Sequence, residues 1–598
     1  MVHLEDRIIE VTVEALKALY NADIEAGKVP LQRTRKDLEG DFTIVVFPFV
    51  KFSRKSPDQT AQDLGEYIKS KLDDIANYES VKGFLNFTFK TSYWARFFDS
   101  IAGATKYGHI VPDDSSQKFV IEYSSPNTNK PLHLGHIRNN LLGFSVSRLV
   151  EATGKNVEMV NLVNDRGIHI CKSMVAWQKW GKGATPDSTG LKGDKLVGNY
   201  YVLFDKYYKE EIDELVEGGM DKEEAEKKAP LIIEAQEMLR KWELSDDEVV
   251  GLWKKMNQWV YTGFEKTYGS LGISFDKIYY ESQTYKLGKS LVEEGLQKGV
   301  LFKREDGSVW ADLSGDGLDE KLLLRSDGTS VYMTQDLGTA HQRYEEYGFD
   351  KQIYVVGNEQ IYHFKVLTLI LKKLGFDWAD KLYHLSYGMV ELPEGKMKSR
   401  EGKVVDADDL VCEMVANAEQ VSEELGKLEG FSKKEKSDIY YKIAMGALKY
   451  FILKVDPQKT MLFNPKESID FTGNTGPFIQ YTYVRINSVV GKARDNGLYC
   501  DYHYDDNLEL DSREVNLLKT IYSFPELLQE AGKELSPAMV ANYVYELVKE
   551  FNNFYQHIQI LKEEDLQKRG FRISLSNFIA RHIKDSMSLL GVEMPERM

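Results

Sequence analysis

Cysteine is scarce in this chain. Its 598 residues hold three, Cys171, Cys412 and Cys500, far apart and with no C-x-x-C pair. That spacing implies neither a disulfide framework nor a structural zinc site, and reduced thiols in a cytosolic protein are the simplest reading. Only 15 prolines occur, so no Pro-rich linker marks a domain boundary. No apolar run approaches the ~18 residues needed to cross a bilayer. The opening segment MVHLEDRIIEVTVEALKALY is amphipathic and carries acidic residues. It has neither the layout of a signal peptide nor the arginine-rich, acid-poor character of a transit peptide. No internal repeat or low-complexity tract is evident.

Hydrophobic content is 42% and charged content 28%, ordinary values for a globular protein with a large core. At ~100–200 residues per domain the length implies about three to five domains. The formal net charge of −16 argues against a surface that coats nucleic acid throughout. A local basic face is still enough for binding RNA.

The most informative stretch is FVIEYSSPNTNKPLHLGHIRNNLLG, Phe119 to Gly143. Apolar Val120, Ile121 and Tyr123 predict a buried strand. Ser124-Ser125-Pro126-Asn127 predicts a turn. A helix is expected from near His133, with Ile137, Leu141, Leu142 and Phe144 on its apolar side. Strand, turn and helix start make a geometry for holding phosphate at a helix N-terminus. His133 and His136 fall on one side of the first turn, and Gly135 between them allows close approach to the backbone. By itself an H-x-G-H tetrad also fits a helix start with two surface histidines.

His133-Leu134-Gly135-His136 resembles the HIGH signature of class I aminoacyl-tRNA synthetases, and EYSSPNTNKPLHLGHIRN resembles its arginyl version. The resemblance extends over nearly the whole chain outside a charged insertion. It implies a multidomain α/β protein: a Rossmann-like class I synthetase catalytic domain, an N-terminal α+β domain and a C-terminal all-α anticodon-binding bundle. The expected divisions are 1–112, 113–405 with a helical insertion around 190–260, a connecting helical region 406–470, and the anticodon-binding helices 471–598.

The N-terminal part predicts a helix over 5–20, a strand at 42–46, a helix near 61–72 and a strand at 83–89. Periodicity alone makes it a structural module. The family places a tRNA-contacting domain there, and GFLNF resembles its characteristic strand, which makes Asn86 and Phe89 candidate tRNA contacts. Strands are expected at 157–163, 322–325, 351–357 and 384–390, and Asn164-Asp165-Arg166-Gly167 should face a pocket at a strand end. The segment KYYKEEIDELVEGGMDKEEAEKKAP reads as a solvated insertion with i,i+4 ion pairs. NTGPFIQYTYVRINSVVGKA resembles the start of the arginyl-type anticodon-binding bundle, and the chain's ending resembles the family's. Tyr481 and Met598 match its anticodon-proximal positions.

The resemblance implies arginine activation with ATP and transfer to tRNA-Arg. His133 and His136 would donate hydrogen bonds to phosphate oxygens, with Lys396 and Lys130 as further catalytic residues. The loop Lys396-Met397-Lys398-Ser399-Arg400 resembles KMSKS but departs from it: Ser399 stands at the second lysine position, and Lys398 where the serine would be. Many arginyl enzymes share this loss, with a lysine upstream of the tetrad as compensation, a role that fits Lys130. ATP contacts are implied at Leu134, Gly135, Gly388, Met389, Val390, Met397 and Ser399.

A guanidinium substrate demands carboxylates and neutral acceptors in fork geometry. The family pattern puts Tyr332, Asp336 and Gln360 on the side chain, and Glu122 and Asn127 on the backbone or amino group, with Ser124 also in the arginine site. Asp165 and His363 are weaker candidates. On the residues alone, Glu122 also fits a buried acid paired with a structural cation, and Tyr332–Asp336 a helix surface pair. The implied partners are tRNA-Arg, L-arginine and ATP with Mg2+. No tightly bound cofactor, protein metal site or membrane is expected, and the chain is expected to be a cytoplasmic monomer. Two other readings stay open. A different class I synthetase, such as a cysteinyl enzyme, is weakened by the missing zinc ligands. A non-catalytic RNA-binding paralogue is weakened by intact His133, Gly135, His136 and Lys396.

Overall fold

The computed structural model describes residues 4–35, 37–391, 405–424, 428, 430–498, 502, 505 and 508–598. Two compact units are present. One comprises Gly108–Val484, Glu526–Tyr545 and Ile583–Met598; the other comprises Met1–Tyr107, Arg485–Pro525 and Glu546–His582. The helical region expected over 471–598 is therefore shared between the two.

A five-stranded parallel sheet organises the larger unit. Its strands are β1 (Lys118–Glu122), β2 (Asn156–Val163), β3 (Lys277–Tyr280), β4 (Lys351–Gly357) and β5 (Leu382–Tyr387), in the order β5-β4-β1-β2-β3. The apolar character of β1 follows from its central place, where Val120 and Ile121 are covered on both faces. The chain runs outward from β1 through β2 and β3, then resumes on the opposite side with β4. That reversal opens a crevice at the carboxyl ends of β1 and β4, the position where open α/β sheets bind ligands.

Helix α1 (Leu134–Ala152) follows β1. Gly143 lets it lie against the strand, since a Cβ there would stand 2.2 Å from the Tyr123 ring. On the other face α2 (Tyr332–Tyr347) and α3 (Ile361–Leu374) cover the sheet through Leu337, Ala340, Val366 and Ile370. Six helices stand between β2 and β3: Ile168–Trp180, Pro186–Thr189, Gly193–Glu217, Lys222–Lys228, Pro230–Glu243 and Asp247–Leu271. Their surface ion pairs, such as Lys209–Asp205 and Lys228–Glu224, contribute about 0.3–0.5 kcal/mol each. Buried Leu196, Val197, Phe204, Val260 and Phe264 hold the segment more strongly. A three-stranded antiparallel sheet (Phe302–Lys303, Val309–Ala311, Lys321–Leu324) precedes α2. Only its last strand was legible in the sequence.

In the smaller unit, Leu31–Arg33, Phe42–Val45, Phe84–Phe89 and Ile75–Val81 form an antiparallel sheet in that spatial order. The alternation in Phe84–Phe89 turns Phe89 inward, where it packs on Phe42, Tyr93 and Trp94. Asn86 is buried too, with its Oδ1 accepting from Thr43 Oγ1 at 2.7 Å. Asn86 and Phe89 point to opposite faces of the strand, and both side chains are buried. Among the described residues no helix is long and apolar enough to cross a membrane.

Candidate active site

His133 adopts extended backbone dihedrals and caps α1. Its Nδ1 accepts a hydrogen bond from the Gly135 backbone N–H at 3.1 Å. The Nδ1 of His136 accepts from the His133 N–H, also at 3.1 Å. The two rings lie with centroids 3.9 Å apart. Burial holds the His133 imidazole down to about 4 and that of His136 further below its ordinary range, and the Lys130 charge acts on both. Both rings are therefore neutral at pH 7. Because each Nδ1 is an acceptor, each ring carries its proton on Nε2. The capping box thus produces two N–H donors side by side at a helix N-terminus, where the dipole already favours anions.

A cavity of about 450 Å³ adjoins the tetrad, lined in part by Asn127, Lys130, His133, His169, Lys195 and Asp406. Lys130 is half-buried there. Leu134 is buried, and its N–H donates to the Val405 carbonyl. Arg138, on the next turn of α1, is buried and donates to the carbonyls of Met389, Pro457 and Lys459. It thereby fixes Gly388-Met389-Val390 beside the tetrad helix. Gly388 meets the Lys459–Thr460 backbone, where a Cβ would stand 2.5 Å away. Met389 is exposed and Val390 buried. Lys396, Met397 and Ser399 lie outside the described residues.

The acid end of the crevice is assembled from four strand ends. Glu122 closes β1, buried against Arg343 of α2. Ser124 has a left-handed backbone, φ 62°. Its N–H donates to Asn139 Oδ1 at 2.6 Å, and its hydroxyl lies 2.8 Å from the Tyr268 hydroxyl. These groups are engaged by the protein, so Ser124 shapes the turn. Asn127 is exposed and bridges to Asn164. Tyr332 and Gln360 are also exposed, the first opening α2 and the second following β4. Asp336, one turn into α2, lies 2.5 Å from His363 Nε2 on α3.

Sequence reasoning missed Glu281, which follows β3 directly. It is buried beside Arg166, Asp165 and Asp336, accepts a hydrogen bond from Gln335, and has its carboxyl pushed up by burial to about 7. Asp165 sets its place. The Asp165 carboxylate accepts from the N–H and hydroxyl of Ser282 and from Tyr261, which anchors the helical turn that begins at Glu281.

Two neutral imidazole donors thus stand at the sheet's switch point; of the expected arginine-site residues only Asn127 lines the cavity beside them, while Glu122, Tyr332, Asp336, Gln360 and Glu281 do not. A family model for class I tRNA synthetases (R), catalytic domain, matches residues 103–464. The chain belongs to the arginyl-tRNA synthetases. The DALR anticodon binding domain matches residues 479–598, and the arginyl tRNA synthetase N-terminal domain residues 6–89. The chain is 57% identical over the full length of both proteins to an arginine–tRNA ligase of Bacteroides fragilis, and 56% identical, again over both full lengths, to that of Parabacteroides distasonis. Among solved structures it resembles the Thermus thermophilus arginyl-tRNA synthetase, with a TM-score of 0.78 at 23% identity and complete coverage of both chains. The Plasmodium falciparum enzyme superposes with a TM-score of 0.74 at 19% identity, over 100% of this chain and 99% of its own. These two likenesses show the fold.

In this synthetase the polar residues inside α1 carry more than the tetrad. Asn139 Nδ2 donates to the Val355 carbonyl at 2.7 Å and to the Tyr387 hydroxyl at 3.2 Å, so one amide ties α1 to the ends of β1, β4 and β5. Arg138 and Asn139 are buried polar residues in the second turn of this helix. Buried polar groups need partners, and that anomaly is the signal that could have found them.

Proposed function

We propose that the enzyme activates L-arginine with ATP and transfers it to the 3′ end of tRNA-Arg. In the first step an arginine carboxylate oxygen attacks the α-phosphorus. The bond to the β-phosphate oxygen breaks, and pyrophosphate leaves with that electron pair. In the second step the terminal ribose hydroxyl attacks the carbonyl carbon of arginyl-adenylate. The ester forms, AMP leaves, and the hydroxyl proton passes to phosphate or solvent.

The observation that carries the reading is the paired Nε2–H donors of His133 and His136. Phosphoryl transfer asks for positioned donors where negative charge accumulates, and neutral imidazoles with a fixed tautomer supply them without reorganisation. Lys130 and Lys396 add positive charge. Mg2+ enters with ATP as part of the substrate. Leu134, Gly135 and the Gly388–Val390 segment border the nucleotide, joined by Met397 and Ser399.

Asp336, Tyr332 and Gln360 hold the guanidinium side, while Asn127 and Glu122 lie toward the amino group. Glu281 adds a buried carboxylate that a cation would relieve. Tyr481 and Met598, both half-buried, are the proposed anticodon-loop contacts, where stacking of a base on an aromatic contributes roughly 1–3 kcal/mol. The enzyme acts as a cytoplasmic monomer, and arginine activation requires bound tRNA.

Pyrophosphate exchange across the amino acids, with and without tRNA, tests this reading. Exchange with arginine alone, dependent on tRNA, is expected. Exchange with another amino acid, or none with tRNA bound, overturns it.

A further inference from the structure

The tetrad is braced by a segment far along the chain. The extended backbone of His133 pairs antiparallel with Asp406. The Leu134 N–H donates to the Val405 carbonyl at 3.2 Å, and the Ala407 N–H to the Leu132 carbonyl at 2.9 Å. Asp406 in turn caps the Ala407–Glu424 helix, its Oδ1 accepting from the Asp408 N–H at 2.8 Å. The start of that helix is tied to the insertion between β2 and β3. Lys192, half-buried at the N-cap of the Gly193–Glu217 helix, pairs with Asp408 and, at 3.0 Å, with the fully buried Asp194. It also donates to the Thr267 hydroxyl, which itself donates to the second Asp408 oxygen at 3.0 Å. One ammonium thus joins side chains from three helices. The junction is closely packed: a Cβ at Gly263 would stand 2.5 Å from Asp194 Oδ1, and one at Gly198 would stand 2.8 Å from Pro131, two residues before His133.

The helix's own needs do not explain Lys192. A helix N-terminus disfavours a cation through its dipole. A buried ion pair contributes little net stability, and its best-attested use is to fix the register of the elements it joins. Here those elements are the insertion and the segment that pairs with the tetrad. Lys195, which holds Asp409 at 2.9 Å, lines the cavity beside His133. Lys192 is not among the described residues that line it, so its effect on the reaction must pass through Asp408. We propose that Lys192 is a positioning residue for arginine activation: through Asp408 and the Val405–Ala407 backbone it sets where the His133 imidazole stands. The inference rests on the role given to that ring above.

Pyrophosphate exchange with arginine and saturating tRNA, run as a double-mutant cycle on the full chain, tests the proposal. Lys192→Met leaves the Asp194 and Asp408 carboxylates without their shared cation. It should lower kcat at least about tenfold and leave KM for arginine within about twofold, the signature of a contact made in the transition state. In a His133→Asn background the same substitution should lower kcat no more than about twofold, because the ring whose place it sets is gone. Thr267→Val strands no charge and should act in the same direction by about threefold, so the test survives a Lys192→Met chain that fails to fold. Thermal melts establish which variants fold. Lys209→Gln, at a surface ion pair on the same helix, should leave kcat unchanged. The proposal is overturned by unchanged kcat in the folded variants, by losses that add in full to that of His133→Asn, or by a raised KM with kcat intact. If His133→Asn itself leaves kcat unchanged, the role given to the ring falls with it.

Discussion

Glu122, the last residue of the central strand, is ion-paired with Arg343, whose guanidinium is completely buried and lies 4.7 Å from the Tyr279 ring centroid. The other Glu122 oxygen receives the Ser125 hydroxyl at 3.3 Å. The pair joins the centre of the sheet to α2, the helix that carries Tyr332 and Asp336, so one ion pair sets the spacing of the acid end. Removing one partner strands a buried charge, which costs about 3–5 kcal/mol, whereas removing both costs less than the sum. Arg343→Met and Glu122→Met should each lower the urea midpoint of the larger unit strongly, and the double variant should recover part of the loss. Single variants with midpoints near wild type would refute a structural role for the pair.

The His133 and His136 rings are neutral donors, and this gives a pH signature. Both have folded-state values depressed below the ordinary histidine range by burial. A depressed value means stability present above about pH 6.5 and lost as pH falls through the folded value. For His133 the window runs from 6.5 down to about 4, a loss of up to about 3 kcal/mol. His133→Asn should flatten that acid limb in urea titrations. It should also lower kcat by about 100–1,000-fold. The wild-type rate should show no titration of these rings between pH 6 and 9; such a limb would mean that an imidazolium takes part.

Gly135 separates geometry from stability. A Cβ there would stand 3.0–3.1 Å from the His133 imidazole, so Gly135→Ala must shift the capping ring by a few tenths of an ångström. Alanine meanwhile favours a helix by about 1 kcal/mol over glycine. The variant should unfold within about 1 kcal/mol of wild type while kcat falls more than tenfold. Equal kcat would show that the ring's placement does not matter.

The strand–turn–helix around the tetrad was legible because its signals are local: β1 is an apolar run, and His133 and His136 are three apart at a helix start. Ser124 was not legible in its actual role. Its left-handed backbone and its bond to Tyr268 depend on a residue far along the chain. Arg343 lies in the charged helix segment HQRYEEY, and the packing of α2 on β1 reveals its burial. Phe89 was a candidate tRNA contact only by family resemblance, and the strand's alternation places it beside Phe87 on the inner face. The three-stranded sheet before α2 was missed because Phe302–Lys303 and Val309–Ala311 are too short for periodicity to register.

Glu281 offers the sharpest test of the acid end. Burial raises its carboxyl to about 7 in the folded enzyme, against about 4.3 unfolded. A raised value means stability fully present below the unfolded value and lost as pH rises through 7, by up to about 3 kcal/mol. Glu281→Gln removes that loss, so the variant should be the more stable protein above pH 7. Arginine binding should act in the opposite direction. A guanidinium beside Glu281 favours its ionised form, so arginine affinity should rise between pH 6 and 8. Binding near pH 7 should release about half a proton. Calorimetry in two buffers of different ionisation enthalpy measures that proton, and Glu281→Gln should abolish it while raising KM for arginine. A wild-type enzyme that binds arginine without proton release, or a glutamine variant with unchanged KM, would place Glu281 outside the substrate's reach.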